Sequence, residues 1–249
     1  MRPVKAADLL ELDPRLQTVV LQCYPIPEQV IYQAAKNDYS EIPIHEQQIP
    51  SPDKCGKWIV ETLLANDRGH FGPLETPSIT FSVSGYVHNV IVQARTHRIA
   101  TFDVQSQRYT GKRVLKVAKD ELSVEDVFYI RPPGYYTNRQ GKKYDWTLAD
   151  YNDELDFIYE GCKRYAAKYE KGMCEEHIRD YLAQAIRQNF VCTFNLRSIL
   201  HFMDMRSKLD AQLEIQALCA QMAPLLKEWT PNVWNYYEEK RLHKGKLAP

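Results

Sequence analysis

No stretch of this 249-residue chain approaches the ~18 consecutive apolar residues of a membrane-spanning helix, so no membrane partner is expected. An excess of charge of one sign is also missing. The 32 basic and 32 acidic side chains leave a formal net charge of zero, which argues against a general nucleic-acid binder, normally a basic protein. The six cysteines (Cys23, Cys55, Cys162, Cys174, Cys192, Cys219) are scattered, without a C-x-x-C pair and without a signal-like leader. They read as reduced thiols of a soluble, cytoplasmic protein, not as a disulfide framework or a metal site. Glycine is sparse and never forms a strand–Gly-rich turn–helix unit, which sets aside a wound parallel sheet with a backbone phosphate cradle. The length allows a full core in one large domain or two small ones. With no linker-like tract and no repeat, the chain is read as one domain over 1–249.

What is present is an α+β pattern: a central, mostly antiparallel sheet with flanking helices and a helical C-terminal half. Pro25 and Pro27 open a helix with Val30, Ile31, Ala34 and Ala35 on its apolar side. Ser51-Pro52 starts another, with Ile59, Leu63 and Leu64 inward and Gly69 as its stop. Ile79, Phe81, Val83 and Gly85 alternate with Thr80, Ser82 and Ser84, as in a half-buried strand. The following run to His97 is read as helical, and strand is expected again over 104–117. The Pro-, Gly- and Tyr-rich stretch 129–144 reads as a long loop, a candidate lid. Helices are expected from Thr147 to Gly172, over 175–186, 197–203 and 208–229, with a short buried strand over 190–195.

The most informative segment is Gln93 to Tyr109. Against one acid, Asp103, it sets Arg95, Arg98, Arg108, His97, Gln93, Gln105, Gln107 and Ser106. Guanidinium forks with amide and hydroxyl donors suit phosphate oxygens and the carbonyl edge of a base. The interleaved Ile99, Phe102, Val104 and Tyr109 argue for a partly enclosed anion site over a solvated basic face.

His97-Arg98, seven residues, then Ser106 and Arg108-Tyr109 is similar to the signature of flavin-dependent thymidylate synthases. Three further segments resemble that family in its order: 69–75 (Gly-His-Phe-Gly-Pro-Leu-Glu), 176–179 (Glu-His-Ile-Arg), and 195–206 with Ala211-Gln212 and Glu214-Ile215 beyond. The resemblance covers about 69–229. It implies methylation of deoxyuridylate (dUMP) to thymidylate (dTMP), with carbon from 5,10-methylenetetrahydrofolate and hydride from FAD reduced by NADPH, in a homotetramer with sites shared between subunits. Carried over residue by residue, dUMP would meet Gln93, Ala94, Arg95, Thr96, Ser106, Gln107, Arg108, Arg179 and Arg206, with Arg206 catalytic. FAD would meet His70, Glu75, Thr96, His97, Arg98, Ile99, Asn195, Arg197 and His201.

Thr96 stands where the family often has arginine, Val104 where an acid is frequent, and His201 and Asp210 where asparagine and histidine are common. Each site residue also has a plain structural explanation. His70 could cap a helix, Glu75 could be a surface acid, Arg179 could pair with Glu175 or Glu176, and Arg206 could complement a helix dipole. Tyr135, Tyr136 and Tyr144 are read as packing their loop in preference to stacking on a ligand. The rival functional reading is a catalytically inactive nucleotide-binding sensor or an RNA-binding module. Zero net charge and the lack of an aromatic-rich basic strand count against RNA.

Overall fold

Apolar alternation along residues 78–87 builds the centre of the fold. The structure is a computed structural model that describes residues 2–244, the side chain of residue 67 apart. In chain order the first half runs α1 (Ala6–Leu12), β1 (Gln17–Cys23), α2 (Pro27–Asn37), α3 (Pro52–Ile59), β2 (Ser78–Val87), α4 (His88–Ala94), β3 (Ala100–Val104), α5 (Gln107–Thr110), α6 (Lys112–Ala118) and α7 (Val124–Val127). The second half adds β4 (Gly134–Thr137), β5 (Lys143–Trp146), α8 (Leu148–Glu170), α9 (Glu175–Ile178), β6 (Arg187–Asn195), α10 (Leu196–Arg206), α11 (Leu213–Trp229) and α12 (Pro231–Lys240). Four strands form one sheet in the order β1-β2-β6-β3, and every pair is antiparallel. No helix among the described residues is long and apolar enough to cross a membrane.

Ile79, Phe81 and Val83 of β2 share the buried face with Phe190, Cys192 and Phe194 of β6. Helices α10 and α11 complete that core with Ile199, Phe202, Leu218 and Met222. Burying each such large side chain contributes about 1.5–3 kcal/mol. The opposite face is polar, with Thr80 and Thr193 hydrogen-bonded across strands at 2.9 Å. A second apolar cluster lies under α8, where Ile158, Cys162 and Tyr165 pack on Val114, Val117 and Phe128.

Several expectations are corrected. Residues 107–118 are helical, because Val114 and Val117 are buried at i, i+3 spacing and the Ser106 side chain caps α5; the strand is 100–104. The expected loop at 129–144 contains the β4–β5 hairpin. Its turn is held by Asn138 Oδ1, which accepts from the Gln140 and Lys142 amides, and by Gly141 at φ +81°. Tyr136 is buried and stacks on Tyr144 with ring centroids 6.0 Å apart, so the tyrosines do pack the segment. The helix expected over 175–186 is only α9 plus one 3₁₀ turn, Arg179–Tyr181. Helix α3 runs on through a π turn, Val60–Leu64, and breaks at Asn66, before Gly69. The Ser51 side chain makes no cap hydrogen bond. The edge strand β1 carried no clear alternation and was not anticipated.

A buried cation ties the sheet to its surroundings. Arg187, at the start of β6, donates to Asp13 Oδ2 at 2.5 Å, the Gly85 carbonyl at 2.7 Å and the Glu125 carbonyl at 2.8 Å. Gly85 sits in a bulge at φ +80°, where a Cβ would overlap the Arg15 carbonyl. That conformation is one glycine adopts without strain. Replacing Arg187 with Leu leaves buried Asp13 with only the more distant Arg15 guanidinium, at 3.8 Å, and loss of one partner of a buried pair costs about 3–5 kcal/mol. Urea unfolding of Arg187→Leu is expected to show that loss; a change under 1 kcal/mol would mean the pair contributes little.

Candidate active site

The turn between α4 and β3 places the central residues. Ala94 is buried, which fixes the roll of α4 and leaves Gln93, Thr96 and His97 facing the end of α10. The Thr96 amide and hydroxyl both donate to the Gln93 carbonyl, at 3.3 and 2.7 Å, closing the turn. Helix α10 starts where β6 ends. Asn195 caps it, its Oδ1 accepting from the Ser198 amide at 2.8 Å. Eleven residues later Arg206 reaches back to the turn. Its Nε donates to His97 Nε2 at 2.9 Å, and its Nη2 donates to Thr96 Oγ1 at 2.8 Å and to the Gln93 carbonyl at 3.1 Å.

His97 therefore acts as an acceptor at Nε2 and must be neutral. Burial, with the Arg206 and His201 charges, lowers its pKa to about 4. The ring also packs edge-on against His201 and Phe202, at 5.5 and 5.0 Å between centroids. Arg95, Arg98 and Ile99 are exposed, and neither arginine side chain has a partner among the described residues. The expected enclosure of this segment is thus incomplete within one chain.

Beyond Gln93 the polar contacts continue into residues to which sequence reasoning gave no role. Gln93 Nε2 donates to Gln212 Oε1. Gln212 Nε2 donates to Glu214 Oε2 at 2.8 Å. Glu214 is buried, and its Oε1 accepts from Arg131 Nη2 at 2.7 Å, Arg131 Nε at 2.9 Å and Tyr129 Oη at 3.2 Å. Arg131 Nη1 donates to Tyr144 Oη at 3.0 Å, so the hairpin joins the network. The one signal for these residues was the Gln212-x-Glu214 spacing after α10. Arg131, Tyr144 and Gln212 border a cavity of about 970 Å³ that also meets Met203, Ser207 and Cys219.

The remaining candidates form two other groups. Gln107 and Arg179 line a smaller cavity of about 260 Å³ with His88, whose Nδ1 is buried without a partner. Ser106 caps α5, and Arg108 Nε pairs with Glu176 at 2.7 Å, so Arg108 and not Arg179 takes the α9 acid. In the third group Glu75 pairs with Arg197 at 2.6 Å and Arg197 lies over Phe71, while Asn195 and His201 belong to the same helix, as its N-cap and its sixth residue. His201 Nδ1 is buried without a hydrogen-bond partner among the described residues. The His70 side chain faces Tyr39 Oη at 3.3 Å and Asp38 at 3.9 Å, so it caps no helix carbonyl. Neither Gln93 nor Arg206 lines the small cavity.

The model of the family described as thymidylate synthase complementing protein matches residues 19–232. The chain is 31% identical to the flavin-dependent thymidylate synthase of Haloarcula marismortui and 32% identical to that of Halobacterium salinarum. Each alignment covers 92% of this chain and 98% of the relative. The chain belongs to the flavin-dependent thymidylate synthase family. The fold agrees: thymidylate synthase X from Helicobacter pylori, solved with FAD and dUMP, superposes with a TM-score of 0.67 at 14% identity, over 90% of this chain and 98% of that one. The UMP/dUMP methylase PolB from Streptomyces cacaoi gives 0.71 at 18%, over 94% and 97%.

The state of His97 has a pH signature. Its folded pKa, about 4, lies below the ordinary histidine value. The unfolded chain therefore takes up a proton between about pH 6.5 and 4 that the folded chain refuses, and stability falls as pH drops through that window. Melting temperature is expected to fall more steeply from pH 6.5 to 4 in the wild type than in His97→Gln. Parallel slopes would mean that the fold does not hold His97 neutral.

Proposed function

We propose that this family member methylates dUMP to dTMP with 5,10-methylenetetrahydrofolate as carbon donor, within one catalytic domain spanning 1–249. FAD reduced by NADPH supplies the hydride that completes the methyl group. The donor set fits such a flavin. Arg197 and the exposed Arg98 offer cations to a pyrophosphate. His201 Nδ1, buried and unpartnered, suits a polar edge of a ring. Asn195 uses only its Oδ1 in capping and keeps its amide N–H groups for a ligand. Glu75, His70, Thr96, His97 and Ile99 complete the flavin-binding set.

Ser106, Gln107, Arg108 and Arg179 are assigned to the nucleotide phosphate, Arg108 also pairing with Glu176. Gln93, Ala94, Arg95, Thr96 and Arg206 are assigned to the rest of dUMP. Because Gln107 and Arg179 line a cavity separate from Gln93 and Arg206, a site containing all of them is completed by two subunits of a homotetramer. The protein is assigned to the cytoplasm, with no nucleic-acid or membrane partner.

The setting of Arg206 carries this reading. Uracil C5 is a poor nucleophile, activated either by a thiolate added at C6 or by electrostatic polarisation of the ring. Burial pushes Cys192 and Cys162 up to about 12 and raises Cys55 and Cys219 as well, so these thiols stay protonated. Cys23 and Cys174 are exposed, on elements that carry no uracil contact. Arg206 is held by three hydrogen bonds, and its Nη1 has no described partner. A pre-positioned cation stabilises negative charge as it develops on the uracil carbonyls, without reorganisation during the reaction.

Arg206→Ala is expected to retain flavin yet form dTMP ~100- to 1,000-fold more slowly, the usual loss for one such donor. Each cysteine changed singly to Ala is expected to stay active. The assay is dTMP formation with flavin reduced beforehand. A cysteine variant that binds both ligands but makes no product would overturn the mechanism, and a wild-type chain that takes up no FAD would favour the nucleotide-sensor reading.

A further inference from the structure

We infer that Gln212 and Glu214 are positioning residues that set the hydrogen-bond polarity of Gln93, so that the site accepts uracil and refuses cytosine. The inference rests on the assignment of Gln93 to the base of dUMP. It follows from which groups can only donate and which can only accept. Arg131 has donors alone, and an ionised carboxylate has acceptors alone. Glu214, buried and met on Oε1 by two N–H groups of Arg131 and by Tyr129 Oη, is the fixed acceptor. Burial, with the Glu214 charge next, pushes the Tyr129 hydroxyl far above its ordinary range, so it remains a donor.

A primary amide could in principle present either end to its neighbour, but here each choice is forced. Gln212 must turn its NH2 toward Glu214 Oε2, at 2.8 Å. Its carbonyl is then the only group left to face Gln93, and Gln93 must answer with its own NH2. The free end of the chain is therefore Gln93 Oε1, an acceptor that no described residue meets. On the same turn, Arg206 is held to the Gln93 backbone carbonyl and to His97 Nε2 and presents only donors.

An acceptor next to a donor matches one pyrimidine edge. Uracil offers N3–H to the acceptor and a carbonyl oxygen to the donor. Cytosine offers a bare N3 and an amino group, so acceptor would face acceptor and donor would face donor. If Gln93 could rotate its amide freely, half of this discrimination would vanish. Arg131, Glu214 and Gln212 prevent that rotation, although none of them need touch the base. Facing two acceptors in a buried site in place of a donor and an acceptor lowers affinity by roughly 10- to 100-fold.

The test is equilibrium binding of dUMP and dCMP to the flavin-loaded protein. The wild type is expected to favour dUMP by at least about tenfold. In Gln212→Leu the Gln93 amide loses its forced orientation, and the ratio of the two dissociation constants is expected to fall toward one. The exchange of Gln212→Glu together with Glu214→Gln keeps the total charge and again places an acceptor-only group beside Gln93, so the preference is expected to return. Equal weakening of both nucleotides in Gln212→Leu, or an unchanged ratio, would overturn the inference and reveal a structural role only. If the wild type binds no dUMP, the functional reading falls, and the inference with it. If Gln212→Leu does not fold, the double exchange decides alone: retained preference supports the polarity chain, and lost preference with intact binding refutes it.

Discussion

The contact between Arg206 and His97 is the constraint around which the rest of this site is arranged. A guanidinium can donate to an imidazole nitrogen only if that nitrogen carries no proton, so the position of the cation depends on a neutral histidine. The fold supplies that condition by burying the ring against Phe202 and His201 and by placing the cation itself beside it. Both partners lie at element ends, His97 after α4 and Arg206 at the last turn of α10. Their meeting is therefore fixed by how β2 and β6 pair, because α4 follows β2 and α10 follows β6.

From that contact two consequences extend in opposite directions. Toward the hairpin, Gln93, Gln212, Glu214 and Arg131 form a chain whose donor and acceptor order has one solution. Toward the head of α10, Arg197 pairs with Glu75 and lies over Phe71. The thiols play no part in either direction, being mostly buried in apolar surroundings that disfavour the thiolate. In the proposed mechanism the chemistry therefore falls to cations and oriented amides, groups that act without being consumed.

Legibility from sequence differed by element for physical reasons. Strand β2 was readable because its face alternates between core and polar side chains, and α8 because Thr147 and its apolar stripe mark it. The hairpin was not, since its tyrosines do not alternate and its turn is set by one asparagine side chain. Residues 107–118 were misread because a short helix with two buried valines resembles a strand in isolation. Among site residues, the pairing of Arg206 with the 93–97 turn joins positions more than a hundred apart, and only the family resemblance brought them together beforehand. Gln212 and Glu214 were visible as part of a pattern, but their role depends on Arg131, some 83 residues away, which no local signal connects to them.

Under the proposed assignment, one chain carries the parts of the site and its neighbour completes it. The most direct measurement mixes two variants expected to be impaired, Arg179→Ala and Arg206→Ala, by co-expression and assays dTMP formation by the hybrid oligomer. A site shared between chains contains, in some positions, an intact Arg179 from one subunit and an intact Arg206 from its neighbour, so activity well above that of either variant alone is predicted. No recovery, from hybrids that assemble and bind flavin, would place the whole site within a single chain.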